Sequence, residues 1–246
     1  CTGPDGILYD FNYGARVLLP EGKWHVILMD DDSGNILFSC DSEGGWVTSN
    51  KKYYVRFRIQ VFHQGEMHPV LDETLDMKDK PVVIFFPTGT LGDMLGWFHY
   101  AERFRQLHRC QLECVMGQEI IELLSAQYPE ITFSTKDNLQ TVNPYASWYV
   151  GLFFKGDTTH QPIDFRKVGF HRNAGYILGV DPRECPPRLK LDAERKIAEP
   201  YVCIAAQSTN QAKYWNNGHG WAEVVAHLKS LGYRVLCIDR HAHYGQ

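Results

Sequence analysis

Two short polar segments of this chain carry the residue types that a group-transfer reaction needs. Residues 88–93 read Thr-Gly-Thr-Leu-Gly-Asp, and the carboxylate of Asp93 can accept a proton from an attacking hydroxyl. Farther along, Ser208 and Thr209 precede Lys213, and such hydroxyls and a mobile ammonium group suit phosphate binding. Taken singly, each segment has a plainer interpretation. An Asp at a helix start is usually a cap or a dipole partner, and a lone lysine is usually a solvated charge.

A buried strand and a helix are predicted to position Asp93. Residues 82–86 are an apolar run rich in β-branched and aromatic side chains, which is typical of a parallel strand covered on both faces. Pro87 ends the run, and the glycines after it supply a turn. The predicted helix has an apolar face, Leu95, Phe98, Phe104 and Leu107, and a polar face, Glu102, Arg103 and Arg105. Asp93 is therefore expected in the first helical turn, at the carboxyl end of a strand, where open α/β sheets bind ligands.

The second polar segment lies in a similar predicted unit. Residues 201–206 are predicted to form a buried strand, residues 207–218 a polar loop and residues 220–231 a helix. Gly232 is expected to close that helix in a left-handed conformation, and residues 234–239 to form the next strand. The chain has no Gly-x-Gly-x-x-Gly motif and no Walker loop, which disfavours a nicotinamide dehydrogenase or a P-loop enzyme.

The remainder of the chain divides into an all-β front and an α/β continuation. The front contains short predicted strands with turn residues between them, at 7–11, 15–19, 24–29, 35–39, 53–63 and 67–71. Such spacing indicates a small barrel or sandwich. The continuation alternates strands (111–116, 131–133, 147–154) with helices (118–127, 165–178), followed by a linker at 181–187. Alternation of this kind indicates a parallel, doubly wound sheet. The expected domains are residues 1–78 (all-β), 79–198 (α/β) and 199–246 (the start of a second α/β domain).

Composition excludes several classes of function. A net charge of −4 and a pI of about 6.3 disfavour a nucleic-acid-binding protein. No apolar stretch approaches the roughly 20 residues of a membrane span, and no signal peptide is recognised at the start. The chain opens on Cys1 rather than Met, so its natural start is expected to be missing.

The seven cysteines are odd in number and form no Cys-x-x-Cys pair. They are predicted to be free thiols in a reducing, cytosolic location rather than metal ligands, with Cys110, Cys114, Cys203 and Cys237 buried. His160, His171 and Arg172 lie in a polar stretch and are predicted to be structural or exposed.

Together, the two polar segments resemble those of the ADP-heptose heptosyltransferases. The resemblance is most specific in Leu91-Gly92-Asp93 and in Lys213-Tyr214-Trp215, and it covers nearly the whole chain. With its aromatic, β-rich front, the sequence is most similar to the bacterial autotransporter heptosyltransferases, which glycosylate serine hydroxyls of autotransporter adhesins. The family consists of GT-B glycosyltransferases with two facing Rossmann-like domains.

This resemblance implies a role for each candidate residue. Asp93 matches the general base, which takes the proton of the acceptor hydroxyl as heptose leaves ADP with inversion. Lys213, Ser208 and Thr209 match a loop that binds the diphosphate. The remaining matched positions, expected to line the sugar and phosphate pocket, are Thr90, Leu91 and Gly92.

The resemblance also implies partners and a departure from the family pattern. ADP-heptose, an autotransporter adhesin and further copies of the same chain are the expected partners in the bacterial cytoplasm. The family's second domain is longer than the part present before Gln246, and the cysteines that hold iron in this branch lie in that later region. No metal ligand is therefore assigned here, and the second domain is expected to be incomplete. Two alternatives remain: a heptosyltransferase for lipopolysaccharide core, and a non-catalytic domain that binds a protein or a nucleotide sugar.

Overall fold

The computed structural model of the chain describes residues 1–87, 91–189, 194–208 and 210–239. It divides into two compact units, Cys1–Lys190 and Leu191–Gln246, here termed the first and second units and described separately. The strands are β1 (Leu8–Asn12), β2 (Arg16–Leu19), β3 (Trp24–Asp30), β4 (Ile36–Ser42), β5 (Gly45–Thr48), β6 (Phe57–His63), β7 (Leu71–Thr74), β8 (Pro81–Phe85), β9 (Gln111–Val115), β10 (Thr132–Ser134), β11 (Ala146–Tyr149), β12 (Tyr201–Ile204) and β13 (Arg234–Cys237). The α-helices are α1 (Leu91–His108), α2 (Gln118–Leu124), α3 (Phe165–Val168), α4 (Arg172–Leu178) and α5 (Gly220–Ser230).

A seven-stranded sheet forms the centre of the first unit, in the order β10-β9-β8-β11-β1-β2-β5. Neighbours from β10 to β1 are parallel, and β1, β2 and β5 are antiparallel. From β8 the chain moves outward through β9 to β10, then returns to place β11 on the other side of β8. The predicted mixed α/β class is confirmed, and the strand order reverses between β8 and β11.

The strands of the all-β front do not form a separate barrel in the part of the chain that the structure describes. β4, β3, β6 and β7 make a four-stranded antiparallel sheet, whereas β1, β2 and β5 extend the parallel sheet. β1 joins the parallel sheet through the pairing of Phe11 with Ala146 of β11. Because these residues are far apart in the chain, no local sequence pattern predicts this pairing. The strand predicted at 53–63 is present as β6, and burial alternates along it, with Phe57, Ile59 and Val61 fully buried. The strand predicted at 67–71 is displaced, since β7 begins only at Leu71. Strand β5 was not predicted.

Helix α1 packs on one face of this sheet by its aromatic residues. Trp97, Phe98 and Phe104 are buried, as is Met94 in the first turn. The predicted apolar face is wrong at its end, because Leu107 is 61% exposed. Large aromatic side chains at positions between those of the predicted face rotate the buried side of the helix away from Leu107.

Two segments after β11 are less regular than predicted. The predicted strand 147–154 ends at Tyr149, and the carbonyls beyond it accept hydrogen bonds from buried side-chain amides: Asn173 Nδ2 donates to the oxygen of Gly151 (3.0 Å) and Gln161 Nε2 to that of Phe153 (2.9 Å). These bonds satisfy backbone groups that a sheet would otherwise pair. The predicted helix 165–178 is two helices, since the chain turns at Gly169 with φ +98° between them.

The predicted linker lies along α1 as an irregular strap, residues 181–188. Tyr100 Oη donates to the carbonyl of Pro182 (2.9 Å), and the Arg103 guanidinium donates to the carbonyl of Asp181 (2.7 Å). Farther along, Arg188 pairs with Glu102 (2.8 Å). Glu102 and Arg103, on the predicted polar face of α1, therefore help to fix the strap.

The second unit contains the parallel pair β12 and β13 with α5 between them in the chain. Gly232 has φ +86° after α5, as predicted for a left-handed residue at that helix end. The predicted burial of Cys203 and Cys237 is wrong, because both are exposed, whereas Cys110 and Cys114 are buried as expected. Burial alternates along β12, and Cys203 lies on its exposed face. Across the described residues, no helix is both long and apolar enough to cross a membrane.

Candidate functional site

Asp93 lies in the first turn of α1, as predicted, and is half-buried. The helix follows β8, so the residue stands at the carboxyl edge of the parallel strands. This is also where the strand order reverses, between β8 and β11, the position at which open α/β sheets form ligand crevices. The geometry therefore places a half-buried carboxylate at the edge of the sheet where ligands of open α/β folds bind.

Two cavities flank the start of α1. The first, here termed the His99 cavity, has a volume of about 340 Å³. It is lined by Gly92, Leu95, Gly96, His99, His171 and residues 184–187. The second, of about 330 Å³, lies at the carboxyl ends of β8 and β9 and is lined by Pro87, Leu91, Met94 and residues 117–120.

The two glycines of the His99 cavity have different surroundings. A Cβ atom at Gly96 would lie 2.3 Å from the ring of His171, so the absence of a side chain lets this ring pack directly on α1. A Cβ atom at Gly92 would meet no described atom within 4 Å. Among the described residues, Gly92 therefore borders open space next to Asp93. Leu91, the residue before it, is 47% exposed.

His99 is a buried side chain at this cavity that the sequence analysis did not identify. It is 5% exposed, and neither ring nitrogen has a hydrogen-bond partner among the described residues. Burial first, and the nearby charge of Arg103 second, lower the pKa of the imidazole to about 4. A buried polar group without a partner costs about 1–3 kcal/mol. The only sequence signal was the spacing of Gly92, Gly96 and His99, which share one side of an otherwise aromatic helix.

The predicted phosphate loop lies in the second unit, after β12. Ser208 and Lys213 are both exposed, and Lys213 ends a single 3₁₀ turn, Gln211–Lys213. The start of the loop is fixed by Asp239, whose carboxylate accepts hydrogen bonds from the backbone amides of Ala206 (2.9 Å) and Gln207 (3.2 Å). Thr209, like Thr90 in the first unit, lies outside the described residues.

A third cavity is larger, at about 740 Å³, and is lined by β1, β2 and residues 141–144 among others. Its charged groups are already paired. Arg16 bonds both oxygens of Asp10 at 2.7 Å, and its guanidinium lies 5.1 Å from the ring centre of Trp46. The guanidinium and the carboxylate in this cavity therefore already satisfy each other's charge.

A metal ion does not fit the residues that the structure describes. No group of three or more His, Cys, Asp or Glu side chains among them is arranged to hold one. We therefore assign no metal-dependent step to these residues.

Comparisons with known proteins identify close relatives. Residues 3–65 match the family model described as the N-terminal domain of glycosyltransferase TibC. The autotransporter heptosyltransferase TibC of Escherichia coli O78:H11 is 73% identical over 245 residues, which are 100% of this chain and 60% of the relative. The inactive autotransporter heptosyltransferase BimC of Burkholderia thailandensis is 44% identical over 97% of this chain and 56% of the relative.

A solved structure is similar along the same stretch. The crystal structure of dodecameric, iron-containing heptosyltransferase TibC in complex with ADP-D-beta-D-heptose matches with a TM-score of 0.97 and 72% identity, over 100% of this chain and 64% of that one. The chain thus spans about three fifths of the length of these relatives. The resemblance predicted from the two polar segments is confirmed for this part.

Proposed function

Because the chain corresponds along its whole length to part of an autotransporter heptosyltransferase, we propose that the protein transfers heptose from ADP-heptose to serine hydroxyls of an autotransporter adhesin. The observation that carries this proposal is the position of Asp93, at the start of α1 beside open space at Gly92. The proposal includes the two-domain GT-B architecture for the whole protein, with the first unit on the acceptor side.

In the proposed reaction, Asp93 is the general base. The oxygen of the serine hydroxyl attacks the anomeric carbon of heptose, and the bond from that carbon to the diphosphate oxygen breaks. Asp93 takes the serine proton as the new bond forms, and ADP leaves from the opposite side, which inverts the anomeric configuration. A positioned base typically contributes a factor of about 10²–10⁴ to the rate.

The residues of the second unit serve the leaving group in this proposal. Lys213 is exposed, and its ammonium makes no hydrogen bond or ion pair with other described residues. It is therefore available to stabilise charge that develops on the diphosphate, with the hydroxyls of Ser208 and Thr209 as further donors. Thr90, Leu91 and Gly92 are proposed to line the sugar and phosphate pocket.

We propose a homo-oligomer in the bacterial cytoplasm. The matched TibC structure is described as dodecameric and iron-containing, and here any iron would be held by residues outside those described. All seven cysteines are free thiols, which fits a reducing compartment.

The test is intact-mass spectrometry of a serine-rich adhesin fragment co-expressed with the full-length protein in cells that make ADP-heptose. Wild type is expected to add heptose-sized masses and Asp93→Asn to add none. Glu119→Gln is the matched control, because Glu119 also lies in the first turn of a helix at the carboxyl edge of the sheet. If both acids act only on helix dipoles, each substitution costs less than about 1 kcal/mol of stability and modification continues in both variants. Modification by Asp93→Asn at the wild-type extent would remove Asp93 from the mechanism.

The non-catalytic alternative has one observation in its favour. BimC, 44% identical over the same stretch, is described as inactive, so similarity in this part of the chain does not by itself bring activity. Absence of modification by the wild type, with ADP-heptose binding retained, would support that alternative. Modification of lipopolysaccharide core instead of the adhesin would support the other alternative, a heptosyltransferase for lipopolysaccharide core.

A further inference from the structure

His99 presents unused hydrogen-bonding capacity to a cavity. The side chain is 5% exposed and lines the His99 cavity, yet neither ring nitrogen has a partner among the described residues. The backbone of Arg183 lies near enough to oppose the fall in the pKa of the ring, but it completes no hydrogen bond. Buried polar groups in folded proteins are almost always satisfied, so an exception at a cavity points to a ligand.

The chemistry of the cavity selects an uncharged group. With a pKa of about 4, His99 is neutral at physiological pH and offers one N–H donor and one acceptor nitrogen. The charges around it already have partners: Glu184 pairs with Arg172 (3.3 Å), and Arg103 donates to carbonyls of the strap. A hydroxyl or a carboxamide can either accept from the N–H of a neutral imidazole or donate to its other nitrogen, whereas an anion can only accept from the N–H.

The position of the cavity relates it to the candidate base. Gly92, Gly96 and His99 lie on successive turns of one side of α1, and Asp93 is next to Gly92. Six residues separate Asp93 from His99, or about 9 Å along the helix axis. An extended polypeptide covers that distance in about three residues. A volume of about 340 Å³ is small for a ligand site and suits one or two side chains of such a segment.

Resting on the proposed function, we infer that the His99 cavity is a subsite for the acceptor polypeptide. In it, His99 hydrogen-bonds a hydroxyl or carboxamide side chain about three residues from the serine that receives heptose. The cavity thereby selects among acceptor serines by the residue that accompanies each one.

The experiment measures initial rates of heptose transfer by the full-length enzyme to acceptor peptides. Each peptide has one acceptor serine, and every position from four residues before it to four after it is varied between Asn and Ala. Wild type is expected to prefer Asn at one position two to four residues away by about tenfold in kcat/KM, which corresponds to about 1.4 kcal/mol. His99→Phe keeps an aromatic ring but cannot form the bond, so it should lose that preference through a higher KM for the peptide, with the KM for ADP-heptose unchanged.

The matched control is His108→Phe. His108 lies on the same helix and its pKa is also about 4, but its ring packs on Phe104 (4.5 Å between ring centres) and lines none of the cavities described above. It should retain the preference. His99→Gln, which keeps a donor and an acceptor, should retain part of it, and this variant serves if His99→Phe does not fold.

Three results would overturn the inference. The preference could persist in both His99 variants, no position could show a preference in wild type, or the KM for ADP-heptose could rise instead, which would assign the cavity to the donor sugar. Failure of the proposed function is distinguishable, because then the wild type transfers heptose to none of the peptides.

Discussion

Two histidines on α1, His99 buried and His108 half-buried, should make the stability of the first unit depend on pH. Burial lowers the pKa of both His99 and His108 from 6.5 to about 4, with the charge of Arg103 a second cause for His99. The unfolded chain therefore binds these two protons at a higher pH than the folded chain does. The stability is fully present above about pH 6.5 and is lost as the pH falls towards 4. The difference corresponds to about 3 kcal/mol for each histidine, and to a slope of about 1.4 kcal/mol per pH unit for each between these limits.

Urea unfolding between pH 7.5 and 4.5 measures this slope. Tryptophan fluorescence reports on the first unit, because Trp24, Trp97 and Trp148 are buried there. We expect the free energy of unfolding to fall by about 2.7 kcal/mol per pH unit between pH 6 and 4.5, the sum for the two histidines. In His108→Phe, which keeps an aromatic ring beside Phe104, the slope should be halved.

Other ionisable groups do not reproduce this pattern. The carboxylates of Asp72 and Glu113 have lowered pKa values, so the stability they contribute is present above about pH 4.5 and is lost only below it. Equal slopes in wild type and His108→Phe between pH 6 and 4.5 would refute the reasoning, because the loss of stability would then come from groups other than His108.

Three further predictions test other parts of the structure. Glu113 is 1% exposed, and its carboxylate accepts hydrogen bonds from two backbone amides at 2.9 and 2.7 Å. Glu113→Ala should therefore lower the free energy of unfolding by about 2–4 kcal/mol. A change under about 0.5 kcal/mol in urea unfolding would contradict this. Gly96→Ala puts a Cβ atom 2.3 Å from the ring of His171 and should destabilise the protein by about 1–3 kcal/mol. Gly92→Ala meets no described atom and should fold at least as stably as wild type. Equal melting temperatures for the two variants would show that His171 moves freely. Lys213→Ala should raise the KM for ADP-heptose about tenfold or more while the KM for the acceptor stays constant, and Lys213→Arg should recover part of the loss; a change in the acceptor KM alone would place Lys213 elsewhere.

The strand–turn–helix unit that holds Asp93 could be predicted because its signals are local. An apolar β-branched run, a proline and glycines, and then helical spacing occur within 18 residues, and each has a single physical interpretation. The same holds for α5 and for the alternation in β6. The pairing of Phe11 with Ala146 could not be predicted, because it joins distant residues and depends on the whole sheet. Without this long-range pairing, the short strands of residues 1–78 were expected to form a separate all-β domain.

The candidate functional side chains were proposed from the sequence where a polar segment follows a predicted strand. Asp93 and Lys213 are charged residues in such segments, which draws attention to them. Glu113 lies within a strand, and its role in holding the backbone at Gln140 and Thr141 depends on a loop that returns 27 residues later. The packing of the strap on α1 could not be predicted either, because a proline-rich stretch has the composition of a linker whether or not it contacts a helix.

The pair His99 and His108 shows why titration alone does not identify a site. Both lie on α1, both have at least one buried ring nitrogen without a partner among the described residues, and burial lowers both pKa values to about 4. Their surroundings differ in one respect. The His108 ring packs between Phe104 at 4.5 Å and Tyr54 at 5.1 Å, whereas the His99 ring packs on Tyr100 at 3.8 Å and also lines the His99 cavity. An unsatisfied nitrogen enclosed by rings can only lower stability, since no solute can reach it. The same nitrogen beside a cavity is a binding group as soon as a hydroxyl enters, so the cost it imposes on the free protein is recovered when the acceptor binds.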